Sequence, residues 1–211
     1  MITIMSLTQF VVPAVAESQL VGFDAGLLAG SPLLRRPAGA MLFRMGERPT
    51  RMFYLQHGHV VLQRVTPAGA PVVLQRTQHG FVAEASLTSS RYHCDATCRT
   101  DSVLLALPMR ALRQAIDSDK GTRWAWIEAL SSQLRQQRSR IERLLLKTVR
   151  ERLSHLLQSQ DTTDAGYALP GTRMDLAAEL GVTPAALYRE IAALQAEGLL
   201  RIEGKLFRWR G

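Results

Sequence analysis

The residues of this chain best equipped for chemistry fall in three short stretches. Tyr92-His93-Cys94-Asp95-Ala96-Thr97-Cys98 gathers a histidine, an aspartate and two cysteines, His57-Gly58-His59 sets two imidazoles around a glycine, and Glu84 with Ser86 supplies a carboxylate and a hydroxyl. Imidazole and thiolate bind metal or haem, a thiol pair can cycle through a disulfide, and a Glu–His pair can pass a proton. Spacing weighs against most of these. On an extended strand Cys94 and Cys98 share a face. A rise of about 3.3 Å per residue holds them about 13 Å apart, beyond the Cα span of roughly 7 Å that a disulfide allows and too far for one mononuclear metal. His93 and Cys94 point to opposite faces. No nucleophile or phosphate-cradling glycine loop accompanies Glu84 and His93. No catalytic residue and no metal site are therefore expected. His57, His59, His93, Cys94 and Cys98 remain the residues on which a metal, haem or redox sensor would be built, with His79 as a further haem candidate.

A different chemistry is written near the C-terminus. In GVTPAALYREIAALQAEGLL a proline interrupts what otherwise reads as one helix from Met174 to Leu200. A proline inside a helix costs about 3 kcal/mol, but in the first turn its missing amide is no loss. The stretch therefore predicts a new helix starting at Pro184, with Thr183 as N-cap and Gly181 in the preceding turn. Two short helices joined by a tight turn are followed by LLRIEG and KLFRW, two β-prone runs around Glu203-Gly204. That order is a winged helix-turn-helix. Leu176, Ala177 and Leu180 form one inner stripe and Leu187, Ile191 and Leu194 the other. Packing them together exposes the start of the second helix, which a major groove about 12 Å wide admits. The candidates for DNA contact are Thr183, Ala185, Ala186, Tyr188 and Arg189, with Thr172 and Arg173 at the first helix start facing phosphate. Arg189 can grip a guanine with two hydrogen bonds, and an alanine can touch a thymine methyl.

Other elements must present these residues. The chain has 211 residues, 46% of them hydrophobic, and a formal charge of +8. It can bury a core, and its excess of cations favours a polyanionic partner. Two cysteines are too few for a disulfide scaffold, no apolar run spans a membrane, and a reducing, cytoplasmic setting fits. FVVPAVAE resembles a short secretory core, but no Lys or Arg precedes Arg35 and Pro13 interrupts it, so it reads as a segment packed on the first domain. Residues 38–108 carry short β-prone runs, MFYLQHGHVVLQRV, PVVLQRT and VLLAL. Turn signals at His57-Gly58, Pro67-Ala68-Gly69 and His79-Gly80 separate them, the pattern of an antiparallel sandwich or jelly roll. From Trp124 to Lys147 apolar residues recur at Ile127, Leu130, Leu134, Ile141 and Leu144, a coiled-coil seam. Gln137 and Arg138 break it, setting register, reaching solvent or facing a ligand. Thr148 and Glu151 form a capping box that marks a new helix and a hinge. From Leu146 onward nine Lys and Arg meet eight Asp and Glu, so DNA binding must rest on placed contacts more than on a general field.

The whole order resembles the cyclic AMP receptor protein / fumarate-nitrate regulator (Crp/Fnr) superfamily of bacterial transcription factors. The likeness runs through PAGAMLFRMGE, FYLQHGHVVLQ, GFVAEASL, the long helix and GVTPAALYREIAALQAEGLL. It implies an α+β fold: an N-terminal antiparallel β jelly roll like a cyclic-nucleotide-binding domain over residues 1–120, a long dimerisation helix over 121–147, and a C-terminal winged helix-turn-helix over 148–211. It implies a homodimer on roughly two-fold symmetric double-stranded DNA, with RNA polymerase as a further partner. Three departures stand out. Members that bind cyclic nucleotides carry a Gly-Glu pair and then an Arg-Ser or Arg-Thr pair that holds the cyclic phosphate. Here Ala83 precedes Glu84, and Tyr92-His93 occupies the second pair, with Arg91 one place away on the opposite face of a strand. Glu84, Ser86, Tyr92 and His93 are then left to hold a small-molecule effector other than cyclic AMP. In the family the partner's long helix closes this pocket near the positions of Gln137 and Arg138. The N-terminal iron-sulfur cysteines of other members are missing, since no cysteine precedes Cys94. Pro184 and Ala185 replace the Arg-Glu pair early in the recognition helix while Arg189 is retained, so the DNA sequence read differs.

The chain is accordingly expected to be a regulator and not an enzyme, with its cofactor, operator and sign of regulation left open. The rival reading is a metalloenzyme similar to cupins, through His57 and His59, although Gln63 and Arg64 stand where that family places a glutamate.

Overall fold

The computed structural model describes residues 20–67, 69, 71–160, 166–169 and 171–210. FVVPAVAE lies outside the described residues. The chain divides into two compact units, Met1–Leu130 and Ser131–Gly211.

The first unit is built from strands whose apolar residues alternate or run continuously. They are β1 (Leu33–Arg36), β2 (Met41–Phe43), β3 (Arg51–His57), β4 (Val60–Val65), β5 (Pro71–Thr77), β6 (Gly80–Val82), β7 (Asp95–Cys98) and β8 (Ser102–Pro108). They pair antiparallel in two four-stranded sheets, ordered β1-β8-β3-β6 and β2-β7-β4-β5, so the expected jelly roll is present. His57-Gly58-His59 is the corner at which the chain leaves one sheet for the other. Gly58 takes φ 107° there, and a Cβ would fall on Ser102 and lie 2.7 Å from the Asp101 carbonyl, so only glycine fits.

Phe81 is the centre of this unit's core. Its ring meets Phe23 at 5.5 Å, Tyr54 at 5.0 Å and Trp126 at 4.9 Å, the last two edge-on, geometry that aromatic quadrupoles favour. Three helices flank the sheets: α1 (Ala25–Ala29), α2 (Met109–Ser118) and the start of α3 (Lys120–Leu145). α2 buries Met109, Leu112 and Ala115 on one stripe. Asp119 caps α3 by accepting from the Thr122 amide at 2.6 Å, and that hydrogen bond holds its carboxyl below the usual range.

The second unit contains the end of α3, then α4 (Val149–Gln160), β9 (Tyr167–Ala168), α5 (Arg173–Leu180), α6 (Pro184–Ala196), β10 (Leu200–Glu203) and β11 (Leu206–Trp209). Leu153, Leu157, Leu176, Leu180, Leu187, Leu194 and Phe207 fill its core. The wing hairpin turns at Gly204, φ 62°. β9 adds an unforeseen third strand beside β11.

The long helix starts one residue before the expected segment and stops two residues short of it, at Leu145. The boundary between the compact units falls inside it, so it is shared and not a body of its own. The cysteines are fully buried: Cys94, Ala96 and Cys98 all point inward from β7 and its approach.

Candidate nucleic-acid interface and effector site

The helix-turn-helix forms as its residue types dictate. Thr172 caps α5 with a complete capping box: its hydroxyl accepts from the Asp175 amide at 3.1 Å, and Asp175 accepts from the Thr172 amide at 3.0 Å. Gly181 closes α5 in the left-handed region at φ 64°, as a helix C-terminus commonly requires. Thr183 caps α6 by accepting from the Ala186 amide at 3.2 Å, with Pro184 in the first turn. α6 is two-faced. Leu187, Ile191 and Leu194 are buried, whereas Thr183, Ala185, Tyr188 and Arg189 are exposed and Ala186 is half-buried. One further contact was not legible in the sequence. The Arg173 guanidinium lies 5.6 Å from the Tyr188 ring centroid, within cation–π range, so the two candidates form one unit on the exposed face. Thr172 has its amide and hydroxyl engaged by the Asp175 carboxylate, which puts negative charge where a phosphate was expected.

Buried and half-buried polar contacts hold this motif to the end of α3. Arg143 is buried on α3 and pairs with Glu179 of α5 at 2.9 Å, with Arg140 on the same carboxylate at 3.5 Å. Between α3 and α4, Thr148 and Glu151 form the expected capping box: Glu151 accepts from the Thr148 amide at 2.9 Å, and its own amide donates to the Thr148 hydroxyl at 3.1 Å. The first of these bonds holds the Glu151 carboxyl below the usual range. Arg152 bridges the junction, donating to the carbonyls of Leu146 at 2.9 Å, Leu180 at 3.0 Å and Gly181 at 3.2 Å. Arg150 of α4 grips Glu190 at 2.7 Å and Glu197 with two bonds of 2.9 and 2.7 Å, both on or just past α6.

α3 carries an uncovered apolar stripe. Ile127, Leu130, Leu134, Ile141 and Leu144 are all exposed, joined by Trp124 and Leu145. Leu144 is drawn partly to the helix-turn-helix, where its Cδ2 lies 3.1 Å from the position of a Cβ on Gly181. Gln137 is half-buried and Arg138 is exposed.

In the jelly roll, Glu84 and Ser86 sit on a 3₁₀ turn after Ala83, which adopts φ 75°. The Ser86 hydroxyl is buried and has no hydrogen-bond partner among the described residues. Tyr92 is placed elsewhere: its ring stacks on Phe43 at 3.8 Å and its hydroxyl donates to the Arg51 carbonyl at 2.7 Å. It floors a cavity that Glu84, Ser86 and His93 do not line. The His93 carbonyl accepts from Arg64 at 2.8 Å. Arg91 is exposed and donates to the Gly46 carbonyl at 2.7 Å. Burial pushes the Cys94 thiol up to about 11 and raises Cys98 as well. Both are free. His57 is exposed, His59 is buried, and the His79 ring is 2.8 Å from the Tyr54 hydroxyl. Among the described residues no three His, Cys, Asp or Glu side chains are grouped to hold a metal ion, and no helix is long and apolar enough to cross a membrane.

Two family models match. A cyclic nucleotide-binding domain covers residues 33–119 and a Crp-like helix-turn-helix domain covers residues 139–208. The chain belongs to the Crp/Fnr superfamily of transcription regulators. Solved structures agree. FixK2 from Bradyrhizobium japonicum superimposes with a TM-score of 0.70 at 19% identity, over 86% of this chain and 93% of that one, a likeness of fold. The c-di-GMP-responsive global regulator CLP of Xanthomonas campestris is 26% identical over 89% of this chain and 100% of that one, TM-score 0.62. DNR from Pseudomonas aeruginosa is 26% identical over 98% of this chain and 96% of that one, TM-score 0.52. Comparison with curated proteins gave no match.

As a Crp/Fnr regulator, the chain has a sensor domain and a DNA-binding helix-turn-helix, and the comparisons favour a non-enzymatic role. The residues expected to contact DNA lie at the N-terminal ends of α5 and α6 and in the first turns of α6. Of the residues expected in the effector pocket, Tyr92 is turned instead into an aromatic stack with Phe43. Arg143, Arg150 and Arg152 were missed entirely, because their carboxylate and carbonyl partners lie far along the chain.

Proposed function

We propose that this Crp/Fnr regulator acts as a homodimer on a two-fold symmetric duplex, reading bases with the exposed start of α6. The division of α6 into a buried Leu187–Ile191–Leu194 face and an exposed Tyr188–Arg189 face carries this reading. A helix so divided can enter a major groove without unpacking its core. Arg189 and Ala185 meet base edges, Arg173 and Tyr188 work as a pair at the groove margin, and Lys205, exposed at the wing tip, meets phosphate. The apolar stripe of α3 pairs with its own copy, placing two recognition helices about 34 Å apart, one turn of B-form DNA. The jelly roll senses a small molecule other than cyclic AMP, since neither Tyr92 nor His93 offers the cation that a cyclic phosphate needs. The buried Ser86 hydroxyl supports Glu84–Ser86 as part of that site. RNA polymerase is the further partner and the cytoplasm the place of action, both by family. Regulation, and not catalysis, is the activity.

Selection of duplexes from a random pool by the full chain tests this. The expected result is enrichment of inverted half-sites with centres 10–10.5 base pairs apart or a multiple of that, bound by two chains. Enrichment of single, unpaired half-sites bound by one chain, or no enrichment at all, overturns it.

A further inference from the structure

The outer face of the wing carries a charge pairing that its strand register does not favour. β10 and β11 place Arg201 directly opposite Arg208, and like charges facing each other across a strand pair are destabilising. Glu203 lies two residues along β10 and so on the same face. Its carboxylate meets the Arg201 guanidinium at 2.9 Å and lies 3.7 Å from Arg208 Nε. The second contact is a charge attraction and not a hydrogen bond. The three side chains are between 42% and 58% exposed, whereas Leu200 and Phe207 on the other face are buried, so the charged group faces solvent. The backbone fixes its Arg208 side. Gly166 takes φ 80° there, and a Cβ would lie 2.8 Å from the Phe207 carbonyl oxygen and 3.0 Å from Arg208 Cγ. The Arg208 stem therefore rests directly on the Gly166 backbone.

The charge of the segment is gathered on this hairpin. From Leu146 onward cations and acids number nine and eight. Residues 200–209 hold three of those cations, Arg201, Lys205 and Arg208, against Glu203 alone, which leaves six cations against seven acids in the rest of the segment. A phosphodiester offers guanidinium what a carboxylate offers, one negative charge shared by two oxygens. We propose that Arg201 and Arg208 form a clamp for one backbone phosphate of the duplex, with Glu203 as its internal occupant, a carboxylate that the phosphate displaces. The clamp rests on the DNA-reading role proposed above. An exposed ion pair is weak, so displacement is easy and the resting carboxylate lowers affinity only a few-fold. A phosphate contact carries no sequence information. The clamp and its occupant therefore set the affinity for every duplex by the same factor and leave the choice of bases to α6.

Binding of the full chain to the duplex enriched by selection and to a random duplex, each across a salt series, tests the clamp. Glu203→Gln should bind both about threefold more tightly per chain, the worth of an exposed ion pair. Arg201→Gln or Arg208→Gln should weaken both about tenfold and flatten the dependence of log affinity on log salt by about 0.9 per chain. Asp117→Asn removes the same charge from an exposed position on α2 and should change affinity much less. Thermal melts confirm that the variants fold. The clamp is overturned if Glu203→Gln binds no more tightly than the unaltered chain, or if Asp117→Asn gains as much. It is also overturned if both arginine variants keep their affinity and salt slope, or if their losses differ between the two duplexes. Absence of any duplex binding by the unaltered chain overturns the regulator reading itself, and the clamp with it.

Discussion

Leu134→Ala isolates the contribution of the α3 stripe to self-association. Leu134 is 52% exposed in the single chain, so its removal should disturb the folded protomer little. Full burial of a leucine side chain stabilises by about 1.5–3 kcal/mol. With half of the side chain still open to water, pairing of two α3 stripes recovers about 1 kcal/mol per copy. Two-fold symmetry doubles any change, because each protomer contributes its own Leu134. Truncation to alanine should therefore weaken the dimer by about 2 kcal/mol, roughly 30-fold in dissociation constant. Leu134→Asp or Ile141→Asp should prevent dimerisation and specific DNA binding together, since a charge is then desolvated at the seam. Sedimentation across a concentration series measures the first effect and light scattering the second. A dissociation constant that moves less than threefold in Leu134→Ala, or an Asp variant with unchanged mass and intact DNA affinity, would refute the seam.

Other predictions concern single residues. Arg189→Ala should cost about 1–3 kcal/mol at the preferred site and relax one base preference; a uniform loss across all sequences makes Arg189 a phosphate contact instead. Glu179→Ala leaves Arg143 buried beside α5 without its counter-ion and should lower the stability of the C-terminal unit by about 3 kcal/mol, read by urea unfolding, with a loss under 1 kcal/mol as the contrary result. Cys94 is raised to about 11 by burial, so at pH 8 about one native thiol in a thousand is ionised, against about one in four for an unperturbed cysteine near pKa 8.5. Labelling by a thiol reagent at pH 8 should be slow in native protein and fast in denaturant; equal rates contradict the burial. The sign for stability follows: the raised folded pKa gives stability that is complete below about pH 8.5 and declines as pH rises toward 11.

The helix-turn-helix was legible because every signal for it is local. Thr183, Pro184 and Gly181 act within one turn of their own positions, and the buried stripes have a helical period that needs no partner to be seen. The Thr148–Glu151 box is of the same kind. β9 was not legible: two residues, Tyr167 and Ala168, form a strand only because Phe207 and Leu206 lie opposite them. The same holds for Arg143 and Glu179, 36 positions apart, and for Arg150 with Glu190 and Glu197, 40 and 47 apart. In sequence such charges look like a solvated helix face. Tyr92 shows how far motif reasoning reaches in the sensor. The replacement of a cation at that position was visible, but the direction its ring takes is set by Phe43 and by the Arg51 carbonyl across the sheet.

The contacts around Thr148 bear on how a sensor can act. A joint that swings freely needs a segment with few tertiary ties, and this one has many. Arg152 alone holds the carbonyl that ends α3 and two carbonyls at the turn after α5. Arg143 binds Glu179 from the α3 side, and Glu142 approaches His155 at 3.5 Å from the same helix. Moving α4 against the end of α3 therefore means breaking several charge-assisted hydrogen bonds at once, each worth more than a neutral one. A ligand can shift such an equilibrium only by its differential affinity for the two arrangements. The boundary between the compact units lies instead within α3, at Leu130–Ser131, where the apolar stripe is exposed. In the proposed homodimer, a signal from the jelly roll would therefore reach α6 most cheaply by altering how the two α3 helices pair, with the C-terminal part of α3 and the helix-turn-helix carried along together.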